Sequence, residues 1–178
     1  KRIAFVLTNS SSKADRIGNA VGLDAPASLL RVFARLREAG YAINNVPESS
    51  DALLHTLIGR CAYDENLLTE AQLAQAPGQV PATVYGRWFE RLTEGQQDKI
   101  QQRWGDPPGE VFVHSDEQGR PRHIAVAGLE LGNVFVAIQP PRGYGMDPDA
   151  IYHTPDLPPT HHYHAFSRWL CTPQQNGG

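Results

Sequence analysis

Four histidines gather toward the C-terminal end of this 178-residue sequence: His153, His161, His162 and His164. On a helix that starts near Thr160, His161 and His164 are three apart and share a face, while His153 approaches from the preceding loop. Imidazoles arranged in this way, from His153, His161 and His164, are a ligand set for a divalent transition metal such as cobalt, nickel, copper or zinc. The competing reading is of first-turn histidines that hydrogen-bond or cap the helix. No Ser-His-Asp or Cys-His arrangement can be read from the chain. Its two cysteines, Cys61 and Cys171, stand without CxxC spacing, which fits reduced thiols of a cytosolic protein.

Upstream, the apolar run Asn133 to Ile138 stops at Gln139 and opens into the loop Gln139-Pro140-Pro141-Arg142-Gly143-Tyr144-Gly145. In open α/β sheets the crevice at the carboxyl ends of the strands is the usual ligand site, so Gln139 through His164 face that crevice if the strand is parallel and central. A second long loop, residues 8–26, follows the first apolar run. Its Gly18 and Gly22 lack GxGxxG spacing, and no GK[ST] follows, which disfavours nucleotide binding. The loop is either a plain surface segment or a gate leading to the first helix.

The elements that must position these residues can be read from periodicity. Ile3 to Leu7 is a short buried strand. Asp24 is a plausible N-cap with Pro26 in the first turn; Leu29, Phe33 and Leu36 recur at helical spacing, and Gly40 offers a stop. Ala42 to Val46 then reads as a second strand, adjacent and parallel to the first, in one sheet with Asn133 to Ile138. Residues 51–104 read as a helical insertion, with Leu53, Leu54, Leu57 and Ile58 on one face and capping boxes at Thr69/Gln72 and Thr93/Gln96. Trp88 and Trp104 within it read as core aromatics. Glu110 to His114 and Arg122 to Val126 alternate around a polar turn and form a hairpin whose His114 and His123 need no special role. Thr160 caps a last helix through Leu170, with Phe166, Trp169 and Leu170 facing the sheet. The expected fold is α/β: a Rossmann- or flavodoxin-like sheet of about five mostly parallel strands, with a β-hairpin and a helical insertion. Residues 1–178 form a single α/β domain of a larger subunit, the insertion spanning about 51–104.

The formal net charge is −3 and the basic residues are dispersed, so the footprint of a nucleic-acid partner is missing. No apolar run approaches the ~18 residues of a membrane span, and no leader precedes the first strand. The chain opens on that strand without an initiator Met, which suggests a piece of something larger.

Four separated blocks carry a family resemblance: residues 16–41 (RIGNAVGLDAPASLLRVFARLREAGY), 104–109 (WGDPPG), 133–145 (NVFVAIQPPRGYG) and 152–170 (YHTPDLPPTHHYHAFSRWL). Over nearly its whole length the chain resembles the CobN / magnesium chelatase H-subunit family, and within it the large tetrapyrrole-binding subunit of aerobic cobaltochelatase. The Gln139-Pro140-Pro141-Arg142-Gly143 run and the His161-His162-Tyr163 cluster look cobalt-type. The resemblance implies a cytoplasmic, ligase-class enzyme that inserts Co2+, as substrate, into a corrin precursor of the hydrogenobyrinic acid a,c-diamide type in cobalamin biosynthesis. It implies that Mg-ATP is used by partner subunits, an AAA+ ATPase and a metal-ion-dependent adhesion-type subunit (CobS/CobT-like), and that this fragment alone is inactive. Two alternatives stand beside it: a magnesium chelatase H-type subunit acting on protoporphyrin IX, and a non-catalytic scaffold or docking domain.

The same resemblance points to substrate contacts at Gln139, Arg142, Tyr144 and His162. A corrin ring carries carboxylate arms, to which Arg142 would form bidentate charge-assisted bonds, while Tyr144 would stack on the ring. Arg142 could instead shape a turn by pairing with Asp147 or Asp156. Metal insertion also requires removal of two ring N–H protons, and Glu130, Asp147 and Asp156 are the local candidates for the base, with nothing in the spacing to choose among them.

Overall fold

The computed structural model describes residues 2–8, 19–20, 23–60, 63, 69–143, 154 and 156–172. The chain divides into two compact units: Lys1–Gly78 with Val126–Pro141, and Gln79–Ala125 with Arg142–Gly178.

In the first unit, β1 (Ile3–Leu7) is followed by the short antiparallel pair β2 (Asn19–Ala20) and β3 (Leu23–Asp24). Helix α1 (Ala25–Glu38) starts where expected, because the Asp24 side chain accepts the Ala27 N–H at 2.9 Å and occupies an otherwise unmet donor of the first turn. It ends where expected as well. Gly40, at φ +86°, lets its N–H reach the Arg37 carbonyl and that of Tyr41 reach Leu36, closing the last turn. Leu29 and Phe33 form its buried face, and Phe33 meets Phe5 of β1 edge-on at 5.8 Å. Helices α2 (Ser50–Arg60) and α3 (Glu70–Ala74) follow. Leu53 and Leu57 are fully buried on the predicted face of α2, and the Thr69/Gln72 capping box forms at the start of α3.

The expected second strand is not formed. Residues 42–46 run without strand pairing, Asn45 is left-handed at φ +53°, and Pro47 follows, a combination that breaks an extended ladder. The parallel neighbour of β1 is instead β8 (Val134–Ile138), in register from Ile3 opposite Val134 to Leu7 opposite Ile138. On its other side β8 pairs antiparallel with β7 (Gly128–Leu131). The sheet of about five mostly parallel strands is therefore replaced by a three-stranded mixed sheet, ordered β1-β8-β7. Gly132 makes the tight β7–β8 turn possible: it sits at φ +73°, and a Cβ there would lie 2.6 Å from the Ala42 carbonyl. Segment 42 is held against that turn by Asn133 N–H to Ala42 O at 2.7 Å and Ala42 N–H to Asn133 Oδ1 at 2.8 Å. What looked like a strand is a strap across the end of a hairpin.

The second unit contains the end of β4 (Gly78–Pro81), α4 (Ala82–Phe89), α5 (Glu94–Trp104), β5 (Val113–Ser115), β6 (Pro121–Val126) and α6 (His161–Cys171). Among its described residues, the stretch 51–104 is helical with one strand, β4, in its middle. Strands β4, β6 and β5 form a three-stranded sheet with β6 central. The predicted β5–β6 hairpin is present, and Asp116 organises its turn by accepting the N–H groups of Gln118 and Arg120 at 3.0 and 2.9 Å. Those bonds, first that from the Arg120 N–H, hold the Asp116 carboxyl below its ordinary pKa. Among the described residues of the helical stretch, the buried aromatics are Tyr63, Tyr85 and Phe89, not the tryptophans. Trp88 and Trp104 are half-buried, with Arg168 and Arg103 stacked over them. Among the described residues, no helix is long and apolar enough to cross a membrane.

Candidate functional site

The histidine cluster lies on the first turns of α6. Thr160, itself buried, caps the helix by accepting the Tyr163 N–H at 3.0 Å. The buried face of α6 is His161, His162, Ala165 and Phe166, whereas Trp169 and Leu170 are only half-buried. Of the three described histidines of the cluster, His161 and His162 therefore point into the protein.

His161 is 1% exposed and uses both ring nitrogens. Nε2 lies 2.8 Å from the Gly105 carbonyl, which can only accept, so Nε2 carries the proton. The bare Nδ1 then accepts the Tyr85 hydroxyl proton at 2.8 Å. Burial pushes the His161 pKa down, keeping the ring neutral and consistent with that tautomer. Around it, Phe89 packs at 5.3 Å and Tyr85 stands edge-on at 5.6 Å. Gly109, at φ +80°, passes so close that a Cβ would lie 3.1 Å from His161 Cδ2. The Trp104 indole N–H donates to the Pro158 carbonyl at 2.9 Å and ties the other end of the same turn to the segment leading into α6. Two sequence blocks 50 and more residues apart, WGDPPG and THHYH, thus meet at one imidazole.

His162 is 1% exposed and donates from Nε2 to the Ala125 carbonyl at 2.9 Å. Its ring packs on Phe112 at 4.7 Å, and the Phe112 carbonyl accepts the Ala125 N–H at 2.9 Å. Phe112 itself is held at φ +60°, an uncommon conformation for a bulky residue that persists only where surroundings over-determine it. Burial drives the His162 pKa from 6.5 to about 3, so this imidazole is neutral at any physiological pH. In this conformation it offers no surface to a substrate arriving from solvent. His164 is half-buried, with Nδ1 3.5 Å from the same Tyr85 hydroxyl, and burial, then Arg168 and His161, lower its pKa.

The structure thus brings His161 and His164 together around Tyr85, a residue that the sequence reading did not single out. Its signal was the helical spacing of Tyr85 and Phe89, four residues apart, which marks a buried stripe but not a partner. For a metal site of His153, His161 and His164, the His161 nitrogens are already engaged, and His153 lies outside the described residues. Among the described residues, no group of three His, Cys, Asp or Glu side chains could hold a metal ion.

The other predicted residues are dispersed along the chain. Gln139, half-buried at the carboxyl end of β8, extends the parallel ladder by giving its N–H to Leu7 O at 2.8 Å. Arg142 is exposed while Pro140, Pro141 and Gly143 around it are buried, and no ion pair or hydrogen bond of its side chain exists among the described residues. The alternative pairing with Asp156 is therefore not made; Tyr144 and Asp147 lie outside the described residues. Glu130 is exposed on β7, 3.8 Å from Arg2, beside a cleft of about 560 Å3 that Asn45, Thr56 and Leu129 also line. Asp156 is exposed.

Comparison with known proteins adds four findings. The family model described as CobN/Magnesium Chelatase matches residues 1–175. The aerobic cobaltochelatase subunit CobN of Pseudomonas aeruginosa is 41% identical over 170 residues, covering 96% of this chain and 13% of that protein. An uncharacterised protein of Methanocaldococcus jannaschii is 35% identical, with the same two coverages. Among solved structures, the catalytic subunit of cobaltochelatase from Mycobacterium tuberculosis superimposes with a TM-score of 0.72 at 41% identity, covering 97% of this chain and 14% of that one. The chain thus spans only about an eighth of the length of these relatives.

Proposed function

This chain belongs to the CobN/magnesium chelatase family, and we propose that it is one segment of the tetrapyrrole-binding subunit of an ATP-dependent cobaltochelatase, which inserts Co2+ as substrate into a corrin precursor of the hydrogenobyrinic acid a,c-diamide type. The cobaltochelatase subunits among its relatives support that reading. On this reading Mg-ATP is spent by partner subunits of AAA+ and metal-ion-dependent adhesion type, and this segment alone has no activity.

One observation carries the role of the segment: Arg142 presents an exposed guanidinium from a turn whose neighbours Pro140, Pro141 and Gly143 are buried. The two prolines fix their own φ, and burial on both sides leaves the turn little freedom, so the side chain is offered from a prepared base. A planar fork of N–H donors suits a carboxylate arm of the ring, which it would hold bidentately. Gln139 would add an amide contact at the end of β8. His162 keeps its own unit in shape in this scheme, through its bond to Ala125 and its packing on Phe112, rather than touching the ring.

The test is a fluorescence titration of corrin precursor into the longer subunit carrying Arg142→Ala. We expect binding weaker by about 1.5–3 kcal/mol, the range for a hydrogen bond to a charged group, with the fold unchanged and Arg142→Lys restoring only part of the loss. Binding as tight as the unaltered protein would remove Arg142 from the site.

A further inference from the structure

Strand β1 lies at the edge of its sheet. It pairs with β8 on one side, and among the described residues the order β1-β8-β7 places no strand on the other. Two bonds fix which way its backbone groups face: the Ile3 N–H reaches the Asn133 carbonyl at 2.9 Å, and the Leu7 carbonyl accepts the Gln139 N–H at 2.8 Å. Successive residues of a parallel ladder turn their backbone groups to opposite sides, so Ile3, Phe5 and Leu7 bond to β8 while the N–H and C=O of Ala4 and Val6 face away from it. Both of these residues are exposed, Val6 by 43%, whereas Leu7 is buried.

Sheets blunt an open edge with proline, charge, a bulge or a very short strand, because a flat apolar edge invites pairing with another chain. None of these devices is present in β1: IAFVL carries neither charge nor proline and stays in unbroken register with β8 over its 5 residues. Phe5 meets Phe33 of α1 on one face, so Ala4 and Val6 leave by the opposite face. Parallel pairing belongs to sheets covered on both faces, which an apolar run with no polar alternation also fits. Among the described residues, the large apolar side chains that remain exposed are Val6, Leu23 and Val32, all in β1, β3 and α1.

We propose that the β1 edge is completed by a strand from the part of the longer subunit outside residues 1–178, paired backbone to backbone with Ala4 and Val6. This chain covers 13% of the Pseudomonas aeruginosa subunit and 14% of the Mycobacterium tuberculosis one, so most of such a subunit is available within the same molecule. A strand tethered in that way meets the edge at a high effective concentration, which a separate partner lacks. The added strand is free of proline opposite Ala4 and Val6, because it must supply a donor and an acceptor to each, and apolar where it covers the Val6 side chain. The inference takes from the proposed function only that this chain is one segment of a longer subunit.

Hydrogen exchange of the longer subunit, resolved to single amides by mass spectrometry, tests this without metal or corrin, so its outcome and that of the Arg142 titration are independent. The Ala4 and Val6 amides should exchange within about tenfold of the Phe5 amide, which β8 protects, and the rates should not change on dilution. Proline is tolerated where an edge N–H faces solvent and not where that N–H bonds a neighbouring strand, so Val6→Pro should speed exchange at Ala4 by at least about tenfold while β8 stays protected. Exchange at Ala4 and Val6 at the rate of an open chain would overturn the proposal. So would protection that disappears on dilution, the mark of a second copy, or Ala4 protection unaltered by Val6→Pro, the mark of cover without strand pairing. If Val6→Pro fails to fold, exchange in the unaltered subunit and its response to dilution decide.

Discussion

Tyr85 and His161, 76 residues apart in the chain, share a buried hydrogen bond of 2.8 Å. Tyr85 gives its proton to Nδ1, and the opposite nitrogen gives its own to Gly105, so one imidazole ties α4, the turn after α5 and the start of α6 together. The geometry makes the cluster a structural clamp, and it sets the sign of three expected outcomes.

Tyr85→Phe keeps the ring and removes only the hydroxyl, leaving His161 Nδ1 buried without its donor. Stability should fall by about 1–3 kcal/mol, the cost of an unsatisfied buried polar group. Urea unfolding followed by circular dichroism measures it. A change within about 0.5 kcal/mol, typical of a surface substitution, would mean that water or another group replaces the hydroxyl without cost.

The histidines also set a pH dependence. His162 titrates at about 3 in the folded chain against an ordinary 6.5, because burial disfavours its charged form. Between those values the unfolded chain binds a proton that the folded chain refuses, so stability is full above pH 6.5 and declines as the pH falls toward 3. The slope from this one group is about 1.4 kcal/mol per pH unit within the window, and His161 and His164 shift in the same direction. Unfolding curves at pH 7 and pH 5 should show the loss, and His162→Gln should flatten it. An equal slope in that variant would place the titrating group elsewhere.

Replacing both His161 and His164 by Ala separates clamp from metal ligand. With both His161 nitrogens engaged, the double variant is expected to lose stability yet bind Co2+ or Zn2+ as the unaltered chain does. Calorimetric loss of binding in a variant that still folds would instead establish the ligand set of His153, His161 and His164.

Local chemistry was legible in the sequence wherever a few neighbouring residues decide the outcome. Asp24 with Pro26 and Gly40 bounded α1, Thr69 and Gln72 formed their box, Thr160 opened α6, and the alternation around Ser115 to Pro121 gave the β5–β6 hairpin. These signals are read from bonds between residues up to four apart or from a period along one element, and so survive without knowledge of the fold. The four blocks of resemblance likewise identified the family from residue types alone.

Pairing across long separations was not legible, because an apolar run does not say which strand it will meet. Residues 42–46 had the composition of a strand, but the left-handed Asn45 and the turn at Gly132 made them a strap, and β8 took the place beside β1. The histidines were ambiguous for the same reason. Their spacing on α6 permits both a ligand face and a buried one. Only the tertiary placement of Gly105, Tyr85 and Ala125 around them engaged both nitrogens of His161 and Nε2 of His162 in hydrogen bonds, since a buried polar atom pairs with whatever the fold brings near.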